Sequence, residues 1–199
     1  MKRHIIILFS IGISFLFGAC DSDYELNRPV FVIDETYPDL PAYTEWGYNS
    51  FGVHIDRSPF TSSYWDLPVK VIAKNDTLQF QLRGQLNYRW TTLSFFIKGQ
   101  SMEDYEDLLS LHEQILDLTS DNCKIVLEIN GLAGELEVLS GELNFKRAQR
   151  LYVDEQSQQV ILSGTFNFKA VMDTEHITAG NGRFDLGIGD DNFYFDTRD

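Results

Sequence analysis

Cysteine is nearly absent: the 199 residues hold only Cys20 and Cys123. With Cys20 committed to another role, argued below, no disulfide framework can staple a fold. Cys123, in "NCKIVLEI" beside an apolar run, reads as a buried, inert thiol. Basic residues are scarce too, with 16 Lys and Arg against 30 Asp and Glu and a net charge of −14. Such a surface repels nucleic-acid backbones, so nucleic acid is excluded as a partner. The apolar run at 5–17 falls short of the roughly 20 residues that span a bilayer. The motifs of common chemistry are also missing. There is no G-x-S-x-G elbow, P-loop or H-E-x-x-H. "GNGRFDLGIG" departs from G-x-G-x-x-G, and no helical pattern follows it. His4 sits in the apolar leader; His54, His112 and His176 lack metal-site spacing and read as structural or surface residues. "IGDDNFYFDTRD" collects Asp190, Asp191, Asn192, Asp196 and Asp199, oxygens of the kind Ca²⁺ takes, without EF-hand spacing or its central Gly. No catalytic residue, metal or cofactor is assigned on these grounds.

What is present begins with "KRHIIILFSIGISFLFGACDSDYE". Lys2 and Arg3 make a positive n-region, 5–17 an apolar h-region, and Gly18 and Ala19 a small-residue cleavage site. "LFGAC" resembles a bacterial lipobox, with Phe17 where Leu is usual and Leu16 one position early. That resemblance implies diacylglycerol on the Cys20 thiol, cleavage before Cys20, and further acylation such as palmitate. Each buried CH₂ would contribute about 0.8 kcal/mol to anchoring. The chain then divides into a lipoprotein signal peptide (1–19), an acidic tether and N-terminal extension (20–45), and a single β domain (46–199) long enough for its own core. Asp21, Ser22 and Asp23 resemble the acidic start associated with surface display in lipoproteins of Bacteroidetes-like bacteria. The resemblance implies the outer membrane, with its outer face the first expectation and its inner face the competing one.

The body reads as strands. "PVFVIDE" is a candidate first short strand, and "YPDLPAY" a Pro-broken loop. "WGYNSFGVHID" has strand composition, and "RSPFTSSYWD" is a connection. "TLQFQLRG" alternates cleanly, with Leu78, Phe80 and Leu82 opposite Gln79, Gln81 and Arg83, the period of a sheet wetted on one face. With "LPVKVIA" it predicts a hairpin around Asn75 and Asp76. "YRWTTLSFFIKG" is another strand. In "SMEDYEDLLSLHEQILDL" the period changes: Met102, Tyr105, Leu108, Leu109 and His112 fall on one helical face. Ser101 and Asp104 imitate a capping box, which predicts one helix over 102–112 covering an edge or open end of the sheet. "CKIVLEI" returns to strand. An internal echo follows, "SGELNFKRA" at 140–148 and "SGTFNFKAV" at 163–171, with a polar turn expected at 154–159 between them. Two copies are too few for a solenoid; the echo predicts paired strands under one structural demand. "HITAGNGRFDLGIG" and "NFYFD" close the chain. The fold expected is mainly β, an antiparallel meander forming a barrel-like or two-sheet sandwich domain with one short covering helix.

The run "SGELNF…VILSGTFNFKA…ITAGNGRFDLGIG" resembles the C-terminal part of small uncharacterised lipoproteins of Bacteroidetes. The resemblance rests on Gly164, Thr165, Phe166, Phe168 and Ala170, then Ile177, Thr178, Gly182, Arg183 and Phe184. It implies a compartment and a β architecture, without an activity. Asp76–Thr77–Leu78 also resembles the O-glycosylation site of such bacteria, which implies modification of Thr77. Asn75–Asp76–Thr77 fits the N-glycosylation pattern as well, but such a host is not expected to supply that machinery.

Aromatic residues are plentiful, with 3 Trp, 9 Tyr and 15 Phe. Tyr64 and Trp65 fall in a loop beside Phe60, where they would either bind a ligand or plug one barrel end. The function expected is a non-enzymatic, lipid-anchored envelope protein. Its partners would be the membrane, through Cys20, and a glycan, a small apolar ligand or an envelope protein. A passive structural or assembly lipoprotein and an envelope hydrolase are the alternatives.

Overall fold

The computed structural model describes residues 26–63 and 66–196. The signal segment, Cys20, Tyr64 and Trp65 lie outside the described residues.

Eleven strands occur in chain order: β1 Ser50–Ile55, β2 Ser58–Thr61, β3 Val69–Lys74, β4 Thr77–Leu86, β5 Arg89–Lys98, β6 Gln114–Asp117, β7 Cys123–Ile129, β8 Leu132–Val153, β9 Gln156–Met172, β10 Glu175–Ile188 and β11 Phe193–Phe195. A 3-10 helix, Tyr105–Leu111, lies between β5 and β6. Eight strands form a closed ring in the order β4-β2-β1-β10-β9-β8-β7-β5, with β5 paired back to β4. Closure works because β4 is long. One of its edges takes β5 along its whole length, while the other takes β3 first and β2 at its far end. The chain is thus mainly β and barrel-like, with one short helix. Two features depart from a simple meander. β11 runs parallel to β3, and the β1–β10 and β2–β4 seams join strands distant in sequence.

Alternation explains the interior. In β4 Leu78, Phe80 and Leu82 are fully buried, and in β5 Leu93, Phe95 and Ile97 are nearly so. These positions share one face of the pleat. The segment expected to be a mere connection contains β2, in which Phe60 is fully buried and stacks edge-on against Phe51. Pro59 fits there because the strand is only four residues long and lies at a turn exit.

The echoed segments face each other across β8 and β9. Gly141 opposes Phe168, Leu143 opposes Phe166, and Phe145 opposes Gly164. Each copy's glycine therefore sits against the other copy's phenylalanine. A Cβ on Gly141 would meet the Asn167 carbonyl oxygen, and one on Gly164 the Asn144 carbonyl oxygen. The repeated Gly-x-x-x-Phe spacing is the shared demand of two strands in close reciprocal contact.

Six two-residue turns join neighbouring strands, and each begins with Asn or Asp at positive φ: Asp56, Asn75, Asn87, Asn130, Asp154 and Asp173. Asx side chains tolerate this left-handed region best after Gly. The polar turn expected at 154–159 is only Asp154 and Glu155; Gln156 already belongs to β9.

The helix is shorter than expected and of another type. Its N-cap is Asp104, whose side chain accepts from Glu106 N–H, while Asp107 reaches back to the Asp104 N–H. The capping box thus lies three residues later than the Ser101–Asp104 pair. In a 3-10 helix side chains three apart eclipse. Accordingly Met102, Leu108 and Leu111 are buried, with Tyr105 packed beside them, while His112 leaves the line as C-cap.

Residues 26–49 are laid along the barrel as an irregular strap. "PVFVIDE" forms no strand, only an isolated bridge from Ile33 to Pro41. The strap is fastened by side chains. Asp185, almost fully buried on β10, accepts from the Thr44 hydroxyl, from the N–H groups of Trp46, Gly47 and Tyr48, and from Ser163 Oγ. Leu40 is fully buried beneath it.

Candidate functional site

The barrel interior is occupied by rings. Phe80 lies 5.2 Å from Phe184, 5.9 Å from Phe145 and 6.3 Å from Phe95, and Phe166 lies 5.3 Å from Phe95. Most of these contacts are edge-on or tilted, the favoured arrangements. Eight strands give a lumen just wide enough for side chains to fill, and these five phenylalanines fill it.

Two adjoining clefts open on the outer face, at the end of β4 where the chain enters it. The larger, about 540 Å³, forms where β8 leaves β7 and the 118–122 loop enters the gap. β7 holds β8 only over Leu132 to Leu136, and β6 takes the same edge from Glu142. Phe96, Val126, Leu136 and Val138 supply apolar wall; Thr77, Lys98 and Ser120 supply polar groups. The smaller, about 420 Å³, is lined by Ile72, Lys74, Asn75, Asp76, Gln79 and Asp196 and shares Thr77 and Phe96 with the first. Register explains the cluster: Thr77 opposes Lys98, and Phe96 opposes both Gln79 and Lys124. Lys124 pairs with Glu135, and Lys74 with Asp196 at 3.7 Å. Lys98 makes no ion pair among the described residues. Apolar walls, a cation and hydroxyls in a volume of this size are the usual composition of a small-molecule site.

Cys123, half-buried, lines the larger cleft, and burial and then nearby Asp117 push its thiol above the ordinary range, which disfavours the nucleophilic thiolate. Asp117 is held low by the Thr119 N–H and hydroxyl and so caps its own loop.

A second polar cluster fastens the strap to β1 and β10. His54 Nε2 lies 2.9 Å from Asp39 Oδ2, and its Nδ1 lies 3.3 Å from the Asn181 amide. Tyr37 packs edge-on against this ring. Arg183 donates to Asp34 at 2.7 Å and to the Asn181 carbonyl, beneath the Tyr37 ring. Tyr37 N–H, with help from Thr36 N–H and Arg183, holds Asp34 below the usual carboxylate range; the His54 ring does the same for Asp39. Both ring nitrogens of His54 have partners, and these tie the strap to β1 and β10. The cluster is a clasp.

The residues singled out in the sequence are scattered. Phe60 sits in the core and takes no part in an exposed aromatic patch. Tyr64, Trp65 and the lipidation position Cys20 lie outside the described residues. Thr77, half-buried, stands between the two clefts, and its hydroxyl donates to Asp76. Of the acidic tail, Asn192 is buried and caps its own turn through Gly187 and Gly189, Asp191 accepts from Asn27, and Asp196 pairs with Lys74. These groups serve different partners. Among the described residues no group of three or more His, Cys, Asp or Glu is placed to hold a metal. His112 Nδ1 accepts the Ala148 N–H, and His176 is exposed. Sequence reasoning missed Phe96 and Lys98. The consecutive Phe95–Phe96 was the available signal, because alternation must turn one of the two outward. Comparison with family models, curated proteins and solved structures finds no match to this chain.

Proposed function

We propose that this chain is a lipid-anchored envelope protein, held to the outer membrane through Cys20, that acts by binding on its outer surface and not by catalysis. The observation that carries this reading is the outer cleft of about 540 Å³, where Phe96, Val126 and Leu136 meet Thr77 and Lys98. The cleft over Phe96 suits a small ligand with an apolar body and an acidic or hydroxyl-bearing end directed at Lys98. A glycan on Thr77 would cover both clefts. The likeness to Bacteroidetes lipoproteins belongs to this proposal, and so does display at the cell surface.

Mass spectrometry of the protein from its own host tests the anchor: acylated Cys20 as first residue is expected, and an unmodified thiol there overturns it. Native mass spectrometry of the same preparation tests the cleft. A small molecule should be retained, and Phe96→Ala with Lys98→Ala should weaken it about tenfold or more. The phenylalanine-packed interior suits a passive structural or assembly lipoprotein; a cleft that retains nothing would leave that reading in place. The hydrolase alternative draws no support from His54, whose contacts fasten the strap, or from Cys123, whose thiol burial pushes up.

A further inference from the structure

The described chain begins at one end of the barrel. The Leu26 carbonyl accepts from Asn49 just before β1, and Asn27 bonds Gln159 and Asp191, at the start of β9 and beyond β10. At the opposite end, the 56–57, 87–88 and 130–131 turns lie side by side. Asn87 donates to Ser58, and the Asn130 N–H donates to the Trp90 carbonyl. All three turns have both residues at positive φ, the type I′ geometry whose second position favours Gly. The 130–131 turn has Gly131 there. The 87–88 turn has Tyr88 at φ 62°, and its side chain is 99% exposed. A bulky residue held in this region costs on the order of 1 kcal/mol, and Tyr88 buries nothing in return. Next to it Trp90 is 52% exposed and Leu132, beyond Gly131, 81%.

The charge of this corner is also unusual for so acidic a chain. Arg57, Arg83 and Arg89 are exposed and make no ion pair among the described residues, whereas Arg147, Arg150 and Arg183 each pair with a carboxylate. The acids at this corner are Asp56, which shares the turn with Arg57 and accepts from Thr178, and Glu128, half-buried beside Thr92. Tyr, Trp and Arg are the side chains that dominate the centres of protein interfaces.

We propose that Tyr88, Arg89 and Trp90, flanked by Arg57, Arg83 and Leu132, form the docking surface for a protein partner with an acidic rim around an apolar centre. The unpaired guanidiniums supply the charge complementarity. A membrane is the poorer occupant, because a net charge of −14 opposes approach to anionic headgroups. On the anchoring reading above, on which only this direction rests, the corner also points away from the bilayer that holds the chain.

The test uses the full chain in its own envelope, with a photo-crosslinking phenylalanine at Tyr88 and, as control, at Tyr152 near the other end. One discrete protein adduct is expected at 88 and not at 152, with an acid-rich crosslinked peptide. Arg57→Glu with Arg89→Glu should reduce it about tenfold or more. With the crosslinker moved to Leu132, Tyr88→Gly should lose the adduct while the melting temperature stays level or rises, an outcome that no purely structural role for Tyr88 gives. Lipid adducts, adducts equal at both positions, a basic crosslinked peptide, or no adduct overturn the proposal. The mature N-terminal mass reports separately on the anchor, so the two readings fail distinguishably.

Discussion

At one end of the barrel the chain crosses from β5 to β6 through residues 99–113, and Met102, Leu108 and Leu111 go into the core. That crossing carries Glu103, Asp104, Glu106 and Asp107, and the turns beside it add Asp154, Glu155, Asp190 and Asp191. At the other end, two-residue turns leave Tyr88, Trp90 and Leu132 in water beside Arg57 and Arg89. The first end buries Met102, Leu108 and Leu111 and presents acid, with Tyr152 59% exposed beside it. The second keeps large apolar and cationic groups in solvent, in turns that also carry Asp56 and Asp173. On the docking proposal, the difference separates residues that hold this protein together from residues that meet a partner.

The sharpest way to break the comparison is to truncate one leucine at each end. Leu108→Ala should cost about 2–5 kcal/mol in urea unfolding, and Leu132→Ala less than about 0.5 kcal/mol. Similar losses would mean that the turn end also carries the fold. Along the barrel side, Asp185→Ala strands five donors from the strap and Ser163 and should cost about 3 kcal/mol. Protease cleavage should then appear within residues 26–49 before either end opens.

Acid gives a smaller effect with a defined sign. Asp34 and Asp39 are held below the ordinary aspartate value of about 3.9. A lowered folded pKa contributes stability above the unfolded value, and that contribution is lost as pH falls through the folded one. Loosening of the strap should therefore begin below about pH 4, and Asp34→Asn should flatten that part of the pH profile. Smallest of all, Tyr88→Gly should leave stability unchanged or raise it by up to about 1 kcal/mol. A clear loss would show Tyr88 to be structural.

Much of the barrel was legible in the residues. The alternation of "TLQFQLRG" assigned β4 and its buried face, and the echo at 140–148 and 163–171 announced a strand pair, because period and repetition survive any tertiary context. What was hidden depends on context. β2 is four residues long and contains Pro59, so no periodicity could announce it, and Phe60 was read into a loop when its ring belongs to the core. The helix was read at a period near 3.6, whereas a period of 3 aligns Met102, Tyr105, Leu108 and Leu111. The strap has no periodicity because its bonds are made by individual side chains such as Asp34 and Thr44 to residues far along the chain. The Phe96 cleft was invisible for the same reason, since it exists only where β8 parts from β7.

The β1–β10 seam has a consequence in time. The other pairings of the long strands β8, β9 and β10 are local: β7–β8, β8–β9 and β9–β10 join chain neighbours and can form as each hairpin closes, and β6 reaches β8 across β7 alone. The seam must bring Ser50 to Asp185 and Thr44 to the same carboxylate across 141 residues. Loop-closure entropy places such contacts late. Refolding should thus show β8–β10 protected from hydrogen exchange first, with β1 and the strap gaining protection only in the final, rate-limiting step.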